Sequence, residues 1–301
     1  MKSIIKTEGL TKKYGKMVAI KNLNLDVPHG SIFAFLGPNG AGKTTTIKTF
    51  MNILSPSSGK AFIMGKDSRH LGPLELSRIG YISENQKLPE WMTIERFLDY
   101  CRPLYPLWDK EFCQSLLKQF EIPLKKKMKT LSRGMKVKAS LVSSLAYRPE
   151  LLVLDEPFTG LDPLVREELI NGMLEVTEGQ KQTIFISSHD IDEVERLADW
   201  VGIIDKGILR LIEETDSLRR RFKNVELSLN EEYKDAKPLE SWYLFQKEGR
   251  SIRFIESQFR ERESEEKIKT CFPGCQNLVL SGLSLREIFL VFAKQFRIQN
   301  L

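Results

Sequence analysis

The sequence predicts an α/β fold whose core is a parallel β-sheet. Four short apolar runs have the composition of fully buried strands, and helical segments separate them; the runs cover residues 31–36, 151–154, 183–187 and 200–204. Uninterrupted apolar strands of this length are typical of parallel sheets that helices cover on both faces. The alternation of strands and helices favours the same class and predicts a helix on each side of the run 183–187.

Two further regions belong to the same predicted domain. Residues 3–30 contain runs in which apolar and polar side chains partly alternate, which predicts antiparallel strands ahead of the first buried strand. Residues 88–148 have helical periodicity, as in the spacing of Phe112, Leu116 and Phe120. We therefore expect an N-terminal antiparallel β subdomain and a helical subdomain beside the parallel sheet.

The domain boundary is predicted between residues 218 and 219. Residues 1–218 form the main domain, and residues 219–301 form a small α+β domain with a hairpin and a closing amphipathic helix. Cys271 and Cys275 in this second domain have no other cysteine pair and no histidine beside them in the sequence. They are predicted to be two thiols in a loop rather than metal ligands.

Composition places the chain among ordinary soluble globular proteins. It has 301 residues, 41% of them hydrophobic, and a net charge of +6. The first residues are too polar for a signal peptide, and no run reaches the ~18–20 apolar residues that a spanning helix needs. The excess charge is one patch between Lys118 and Lys138, not a basic tail of the kind that coats nucleic acid. A solvated helix face, an anionic membrane surface and an acidic segment of a partner are the open interpretations of this patch.

A glycine-rich loop follows the first buried strand and precedes a helical segment. The loop fits the pattern G-x-x-x-x-G-K-[ST] and consists of Gly37, Pro38, Asn39, Gly40, Ala41, Gly42, Lys43, Thr44 and Thr45. Its backbone N–H groups and the dipole of the following helix make a cradle for phosphate. In such a loop Lys43 reaches the β- and γ-phosphates, and the Thr44 hydroxyl ligates Mg²⁺. The loop predicts a nucleotide site.

Two adjacent carboxylates follow the buried run 151–154. Residues at the carboxyl end of a parallel strand point into the crevice where α/β sheets bind ligands. Asp155 is placed to hold Mg²⁺ through its water shell. Glu156 is placed to orient and deprotonate an attacking water. The pair predicts hydrolysis of the bound nucleotide.

A third motif identifies the class. Leu131-Ser132-Arg133-Gly134-Met135 precedes a helical segment and lies about twenty residues upstream of Asp155. In this order and spacing the sequence resembles the ATP-binding subunits of ABC transporters, whose signature is L-S-G-G-Q. The resemblance implies that Ser132 and the amides around Gly134 bind the γ-phosphate held by the opposite subunit, with Arg133 adding positive charge there.

The remaining motifs of that family occur in the same order. The resemblance implies that Tyr14 stacks on adenine, that Asp162 acts across the dimer interface, and that His189 contacts the γ-phosphate and the catalytic glutamate. Catalysis is thus assigned to Glu156, His189 and Lys43. The resemblance covers about residues 3–215, and the later residues are similar in a general way to the C-terminal extensions of bacterial exporter ATPases.

The sequence departs from the family pattern at two places. The glutamine that usually follows a strand such as 79–83 is Glu84 by counting, and Gln86 stands two residues further on. A carboxylate also ligates Mg²⁺, so Thr44, Glu84 and Asp155 are the predicted metal ligands, while the choice between Glu84 and Gln86 as the coupling residue stays open. In the signature, Arg133 and Met135 replace a glycine and the glutamine.

The expected function is that of an exporter-like ATP-binding subunit. Its cofactors are ATP and Mg²⁺, and its partners are a second copy or a paralogous cassette and a membrane-spanning permease, but no nucleic acid. The expected location is the cytoplasm, on the inner face of the membrane. A soluble ATPase of the same type that acts on ribosomes or DNA is the alternative. A phosphate-loop kinase or GTPase leaves the segment 131–135 and His189 unexplained, and no guanine-reading Asn-Lys-x-Asp is present.

Overall fold

The computed structural model describes residues 2–177, 182–231 and 238–298. The chain divides into two compact units, Met1–Ile212 and Glu213–Leu301. The boundary predicted from the sequence, between residues 218 and 219, lies a few residues inside the second unit. That residues 1–218 and 219–301 are two separate domains remains a prediction.

The strands of the first unit are β1 (Ser3–Tyr14), β2 (Met17–Leu23), β3 (Asp26–Pro28), β4 (Ile32–Leu36), β5 (Ser58–Ile63), β6 (Lys66–Asp67), β7 (Ile79–Ile82), β8 (Leu151–Asp155), β9 (Thr183–Ser188), β10 (Trp200–Asp205) and β11 (Ile208–Glu214). Its α-helices are α1 (Lys43–Phe50), α2 (Pro73–Leu76), α3 (Ile94–Cys101), α4 (Lys110–Gln119), α5 (Arg133–Leu145) and α6 (Pro163–Thr177). Short 3₁₀ turns cover Ser68–His70, Arg102–Leu104 and Met128–Thr130.

The central sheet has the order β11-β10-β4-β9-β8-β7, and the neighbours from β10 to β7 are parallel. The predicted parallel-sheet core is therefore confirmed. The register pairs Asp155 with Ser187 and Leu36 with Ser188, so β4, β8 and β9 end at one edge. Their carboxyl ends bring the predicted site residues together.

Aromatic rings fix the first helix on this sheet. Phe185 of β9 stacks on Phe33 of β4 at 5.5 Å between ring centroids. Phe50, at the end of α1, meets Phe185 edge-on at 5.3 Å. All three rings are fully buried. This packing holds α1, and the loop that precedes it, at a fixed place above the strand ends.

The N-terminal strands form a separate antiparallel sheet, as predicted. β1 pairs antiparallel with β2, β3 and β5, and β6 extends the sheet through β5. The segment 88–148 holds α3, α4 and α5, so its predicted helical character is also confirmed. Helix α4 buries Cys113, Leu116 and Phe120 on one face. Each of the three helices has a capping side chain: Thr93, Asp109 and Ser132.

One predicted helix is absent from the described structure. Residues 189–199, after β9, form successive turns with mixed three- and four-residue spacing, such as Val194 N–H to Ile191 O at 2.9 Å and Ala198 N–H to Val194 O at 3.0 Å. The carboxylate of Glu193 turns inward to the Ser188 hydroxyl at 2.6 Å. The N–H groups of Asp190 and Asp192 donate to the side chains of Ser188 and Asp190, and such side-chain bonds compete with regular helical bonding, which the apolar pattern alone does not reveal.

In the described residues of the second unit, a four-stranded antiparallel sheet is accompanied by three α-helices. The strands are β12 (Lys223–Leu229), β13 (Trp242–Glu248), β14 (Ser251–Glu256) and β15 (Cys275–Gly282), in the order β13-β14-β12-β15. The helices are α7 (Thr215–Arg221), α8 (Glu261–Cys271) and α9 (Leu285–Ile298). Trp242 stacks on Phe254 at 4.2 Å in its core. The prediction that both thiols lie in a loop is wrong, because Cys271 is the last residue of α8 and Cys275 is the first residue of β15.

Candidate active site

Two glycines of the phosphate loop permit contacts that no other residue allows. A Cβ at Gly37 would lie 2.3 Å from the carbonyl oxygen of Ile204. A Cβ at Gly42, where φ is +109°, would lie 2.6 Å from the carbonyl oxygen of Ala19. The loop is therefore held between the end of β10 and strand β2, and α1 starts directly after it.

The side chain of Lys43 is folded back into its own loop. The residue is 5% exposed, and its ammonium donates to the carbonyl oxygens of Gly37 at 2.6 Å and Pro38 at 3.2 Å. The same Nζ lies 3.0 Å from Oε1 of Glu156. The predicted phosphate ligand and the predicted catalytic base thus form a buried ion pair.

One carboxylate oxygen of Asp155 accepts hydrogen bonds from two hydroxyl groups. Thr44 Oγ1 donates to Asp155 Oδ1 at 3.0 Å, and Ser187 Oγ donates to the same atom at 2.8 Å. Burial raises the pKa of Asp155 above its ordinary value, although both hydrogen bonds act to lower it. The site therefore holds a carboxylate with hydroxyls around it but no cation bonded to it within the described part of the chain.

Glu156 is the centre of a second group of contacts. Its Oε2 accepts from His189 Nδ1 at 2.8 Å and from Thr159 Oγ1 at 3.0 Å. A carboxylate accepts only, so His189 carries its proton on Nδ1 here. Burial acts to raise the pKa of Glu156, but the bond from His189 and the charge of Lys43 outweigh it, and the pKa is lowered. Glu156 is an ionised carboxylate.

The backbone at Glu156 is unusual. Its φ is +51°, in the left-handed region that a side chain with a Cβ rarely adopts. Successive side chains of a strand point to opposite faces, so a change of direction after Asp155 is needed to bring both carboxylates to one place. The Glu156 N–H donates to Ser187 Oγ at 3.0 Å, which fixes this turn.

Lys43, Thr44 and Glu156 border one cleft with a volume of about 590 Å³, whereas Asp155 and His189 are not among the described residues that line it. Its walls are formed by Tyr14, Met17, Val18, Ala19, Asn39, Gly40, Gly42, Lys43, Thr44, Thr45, Glu84, Glu156 and Lys206. The aromatic ring, the phosphate loop and a carboxylate predicted from separate stretches of sequence therefore meet. Glu84 lies on the wall, whereas Gln86 is not among the described residues that line it.

The signature residues occupy a different place. Ser132 caps α5, and its Oγ accepts from the Met135 N–H at 3.3 Å. Asp162 caps α6 by accepting from the Val165 N–H at 3.0 Å. A Cβ at Gly134 would lie 2.6 Å from Val165 Cγ1, so α5 and the start of α6 are in close contact. Of the described residues that line the cleft, none belongs to this group.

Arg133 covers the loop between β8 and α6. A Cβ at Gly160, where φ is +70°, would lie 3.3 Å from Arg133 Nη1. The guanidinium therefore rests on the turn that carries Thr159, whose hydroxyl bonds Glu156. Arg133 thus makes a contact within its own chain, besides the role near the partner's γ-phosphate that the sequence suggests for it.

Several residues of the site were not identified from the sequence. Ser187 and Thr159 hold the two carboxylates, and Lys206 lies on the wall of the cleft. Lys206 directly follows β10, and the rule that ligands bind at the carboxyl ends of parallel strands would have indicated it. No sequence signal marks Ser187, because in the sequence it is an ordinary residue of a buried strand.

Comparisons with known proteins agree with this geometry. The family described as "ABC transporter" matches residues 20–159. The bacitracin transport ATP-binding protein BcrA of Bacillus licheniformis is 37% identical over 239 residues, which are 78% of this chain and 78% of that protein. The uncharacterized ABC transporter ATP-binding protein YcbN of Bacillus subtilis is 35% identical over 228 residues, 75% of this chain and 74% of that protein. A solved structure of the ATP-binding subunit of an ABC transporter aligns with a TM-score of 0.65 and 29% identity, over 72% of this chain and 92% of that one.

Proposed function

Because this chain belongs to the ATP-binding, ATP-hydrolysing subunits of ABC transporters, we propose that it works as a dimer that drives export through a separate membrane-spanning partner. The observation that carries the proposal is the cleft itself. Lys43 and Glu156 face each other at 3.0 Å on its wall, and the Thr44 hydroxyl bonds Asp155 beside them. The side chains proposed for phosphate binding, metal binding and water activation thus lie next to one another.

Each of these side chains has a role in the proposed reaction. Tyr14 stacks on the adenine, and the loop from Gly37 to Thr45 binds the phosphates, with Lys43 on the β- and γ-phosphates. Glu156 orients the attacking water and takes its proton. His189 holds Glu156 and contacts the γ-phosphate. His189 and Lys43 lower the pKa of Glu156 against the opposing effect of burial, which keeps the carboxylate ionised and able to accept a proton.

The residues also fit a magnesium ion. Asp155 is a buried carboxylate without a cation among the described residues, and Thr44 and Glu84 offer further oxygen ligands. Oxygen donors of this kind are what Mg²⁺ prefers in proteins. Thr44, Asp155 and Glu84 would hold it, and the bound ion would neutralise charge on the phosphates.

The partner subunit completes the site. Ser132, Arg133, Gly134 and Asp162 do not line the cleft of their own chain, yet they gather where α5 meets α6. A helix that starts at a capped serine offers free N–H groups to an anion. We assign these groups to the nucleotide of a second copy, so that two chains enclose two ATP molecules head to tail.

The relatives support the proposal of export and a membrane partner. BcrA is a bacitracin transport protein by description, and it matches this chain over 78% of the sequence. None of the described helices is long and apolar enough to cross a membrane. We propose that the chain lies on the inner face of the membrane, bound to a permease subunit, where ATP binding holds the dimer closed and hydrolysis releases it.

Substitution of the proposed base tests the catalytic part. Glu156→Gln should bind ATP, slow hydrolysis by about 10²–10⁴-fold, and accumulate an ATP-bound dimer in size-exclusion chromatography. Competition between ATP and GTP checks the nucleotide. Hydrolysis at the unmodified rate would remove Glu156 from the mechanism.

Purification from membranes tests the transport part. The chain should co-purify with one membrane-spanning subunit, and reconstituted vesicles should move cargo outward only with ATP. Recovery bound to ribosomes or DNA would instead favour the soluble alternative.

A further inference from the structure

Two segments of the first unit lie side by side and form a fixed surface. The Met128 N–H donates to Met92 O at 2.9 Å, and the Lys129 N–H donates to Glu90 O at 3.2 Å. The Ile94 N–H donates to Lys126 O at 3.2 Å, and an antiparallel bridge joins Thr93 and Lys127. Segments 90–95 and 124–129 are therefore held in register by backbone bonds, not by their side chains.

This pairing places an exposed tryptophan beside four exposed lysines. Trp91 is 68% exposed, between the two residues whose carbonyls accept from the second segment. We call the surface formed by Trp91, Lys125, Lys126, Lys127 and Lys129 the basic–aromatic surface. It contains four of the eight basic residues that the sequence concentrates between Lys118 and Lys138.

The lysines of this surface are not neutralised. None of the four forms an ion pair within the described ranges 2–177, 182–231 and 238–298, although Lys66 and Lys138 pair with carboxylates elsewhere. Segments 87–96 and 121–129 together carry six basic and three acidic side chains. Lys138, by contrast, is buried against Glu168 at 2.5 Å and does not belong to the surface.

The chemistry of the surface fits lipid headgroups. An exposed indole is amphipathic and favours the level of the headgroups at a membrane surface. All four cations are lysines, which are mobile point charges suited to a diffuse layer of anionic headgroups rather than to the bidentate recognition of carboxylates by arginine. We propose that the basic–aromatic surface binds anionic lipid headgroups directly. This contact is additional to the permease and does not depend on it.

Vesicle binding by the full chain, without permease, tests the proposal. Protein is sedimented with phosphatidylcholine vesicles that contain either no phosphatidylglycerol or about 30 mol% of it. We expect binding only to the anionic vesicles and a decrease as salt screens the charges. Replacement of all four lysines by glutamine should weaken the binding about a hundredfold or more. Undiminished binding of this variant would overturn the proposal.

A matched variant controls for net charge. Lys2, Lys60, Lys267 and Lys269 are also exposed, and their replacement by glutamine removes the same charge from other places. This control should bind like the unmodified chain, whereas an equal loss in both variants would mean non-specific attraction and overturn the proposal. Circular dichroism should show the same fold in all three proteins.

Two further measurements test the role of the Trp91 indole and distinguish anionic lipid from an acidic protein segment as the partner. Trp91→Gln should lose the blue shift of tryptophan emission on vesicle binding and bind several-fold more weakly; an unchanged shift would remove Trp91 from the surface. Polyglutamate is offered in place of vesicles, and preference for it over anionic vesicles would overturn the proposal in favour of an acidic protein segment. ATP hydrolysis without vesicles, measured in parallel, reports on the proposed function separately.

Discussion

Lys43 Nζ lies 3.0 Å from Glu156 Oε1, and both residues are more than nine-tenths buried. The contact is an ion pair without an aligned hydrogen bond, because Oε1 has no hydrogen-bond partner by geometry. Each residue therefore neutralises the other without being locked to it. We therefore expect a γ-phosphate that binds Lys43 to compete with Glu156 for the ammonium, while His189 and Thr159 still hold the carboxylate.

This pair should couple strongly in unfolding experiments. Lys43→Met leaves the Glu156 charge buried with only His189 and Thr159 on it, and we expect a loss of about 3 kcal/mol. The double variant Lys43→Met with Glu156→Gln should recover about 1–3 kcal/mol of the summed losses. Urea unfolding measures this.

The exposed pair Lys6–Glu8 is the control for that cycle. Both residues are 51% exposed, so their coupling should stay below about 1 kcal/mol. If the stability losses of Lys43→Met and Glu156→Gln simply add up in the double variant, the ion pair is contradicted.

The two adjacent carboxylates should respond to pH with opposite signs. Burial raises the pKa of Asp155, so its ionisation destabilises the fold at neutral pH, and this effect fades as the pH falls through the raised pKa. The pKa of Glu156 is lowered by His189 and Lys43 despite burial, so its stabilisation is present above the unfolded pKa and is lost as the pH falls through the folded one. We expect Asp155→Asn to stabilise and Glu156→Gln to destabilise at about pH 7. The Asp155 difference should shrink as the pH falls toward about 4, and the Glu156 difference should shrink only as the pH falls below about 4.5. Urea unfolding across this range would refute the assignment if the two variants shifted stability in the same direction.

Lys206 offers a test in which one substitution should raise stability and weaken nucleotide binding. It joins β10 and β11 with Gly207, and both residues have positive φ, 47° and 76°. Asn-Gly suits such a turn better than Lys-Gly, so Lys206→Asn should raise the free energy of unfolding by about 1 kcal/mol. Because Lys206 lines the cleft, the same variant should bind ADP about fivefold more weakly at low salt. Calorimetric titration measures the affinity, and Lys206→Arg should retain it. Equal affinities for Lys206→Asn and Lys206→Arg would exclude a charge contact.

Glu193 is expected to position the histidine of the site. It is 3% exposed, accepts from Ser188 Oγ at 2.6 Å, and faces Arg166 Nη2 of α6 at 3.4 Å. Ser188 directly precedes His189, so loss of this anchor in Glu193→Ala should lower kcat about tenfold and leave KM nearly unchanged.

Steady-state ATPase assays of folded protein measure that effect. Ser188→Ala should behave alike, and the double variant should lose little more. Arg196 and Glu167 join the same two segments at 3.0 Å on the exposed surface, so Arg196→Met is the matched control with unchanged kcat. Reduced stability with unchanged kcat in Glu193→Ala would assign Glu193 a structural role alone.

The parts of this protein that the sequence predicted are those with strong local patterns. The buried strands, the phosphate loop and the Asp155–Glu156 pair each lie within a few consecutive residues. In the structure the loop and Glu156 line one cleft, and Asp155 accepts a hydrogen bond from Thr44 of that loop. The family pattern also pointed to Tyr14 and Glu84, which are distant in sequence and line the same cleft.

The parts that the sequence did not predict depend on contacts across the fold. Ser187 acts through the register that sets it opposite Asp155. The turns at 189–199 replace a predicted helix, and at the start of this segment the side chains of Ser188 and Asp190 accept backbone N–H groups. Helix α8 and strand β15 of the second unit lacked a clear periodic signal, and packing against Phe272 and Trp242 forms their common core.

The left-handed backbone at Glu156 has a consequence for how this protein can be improved or altered. Glycine at this position would relieve the φ of +51°, but it would also leave the buried ammonium of Lys43 without its carboxylate, and the second effect is the larger. The strained backbone is therefore tolerated because the contacts of the Glu156 side chain outweigh its cost. A substitution chosen only to ease the backbone here should lower stability and remove the base together.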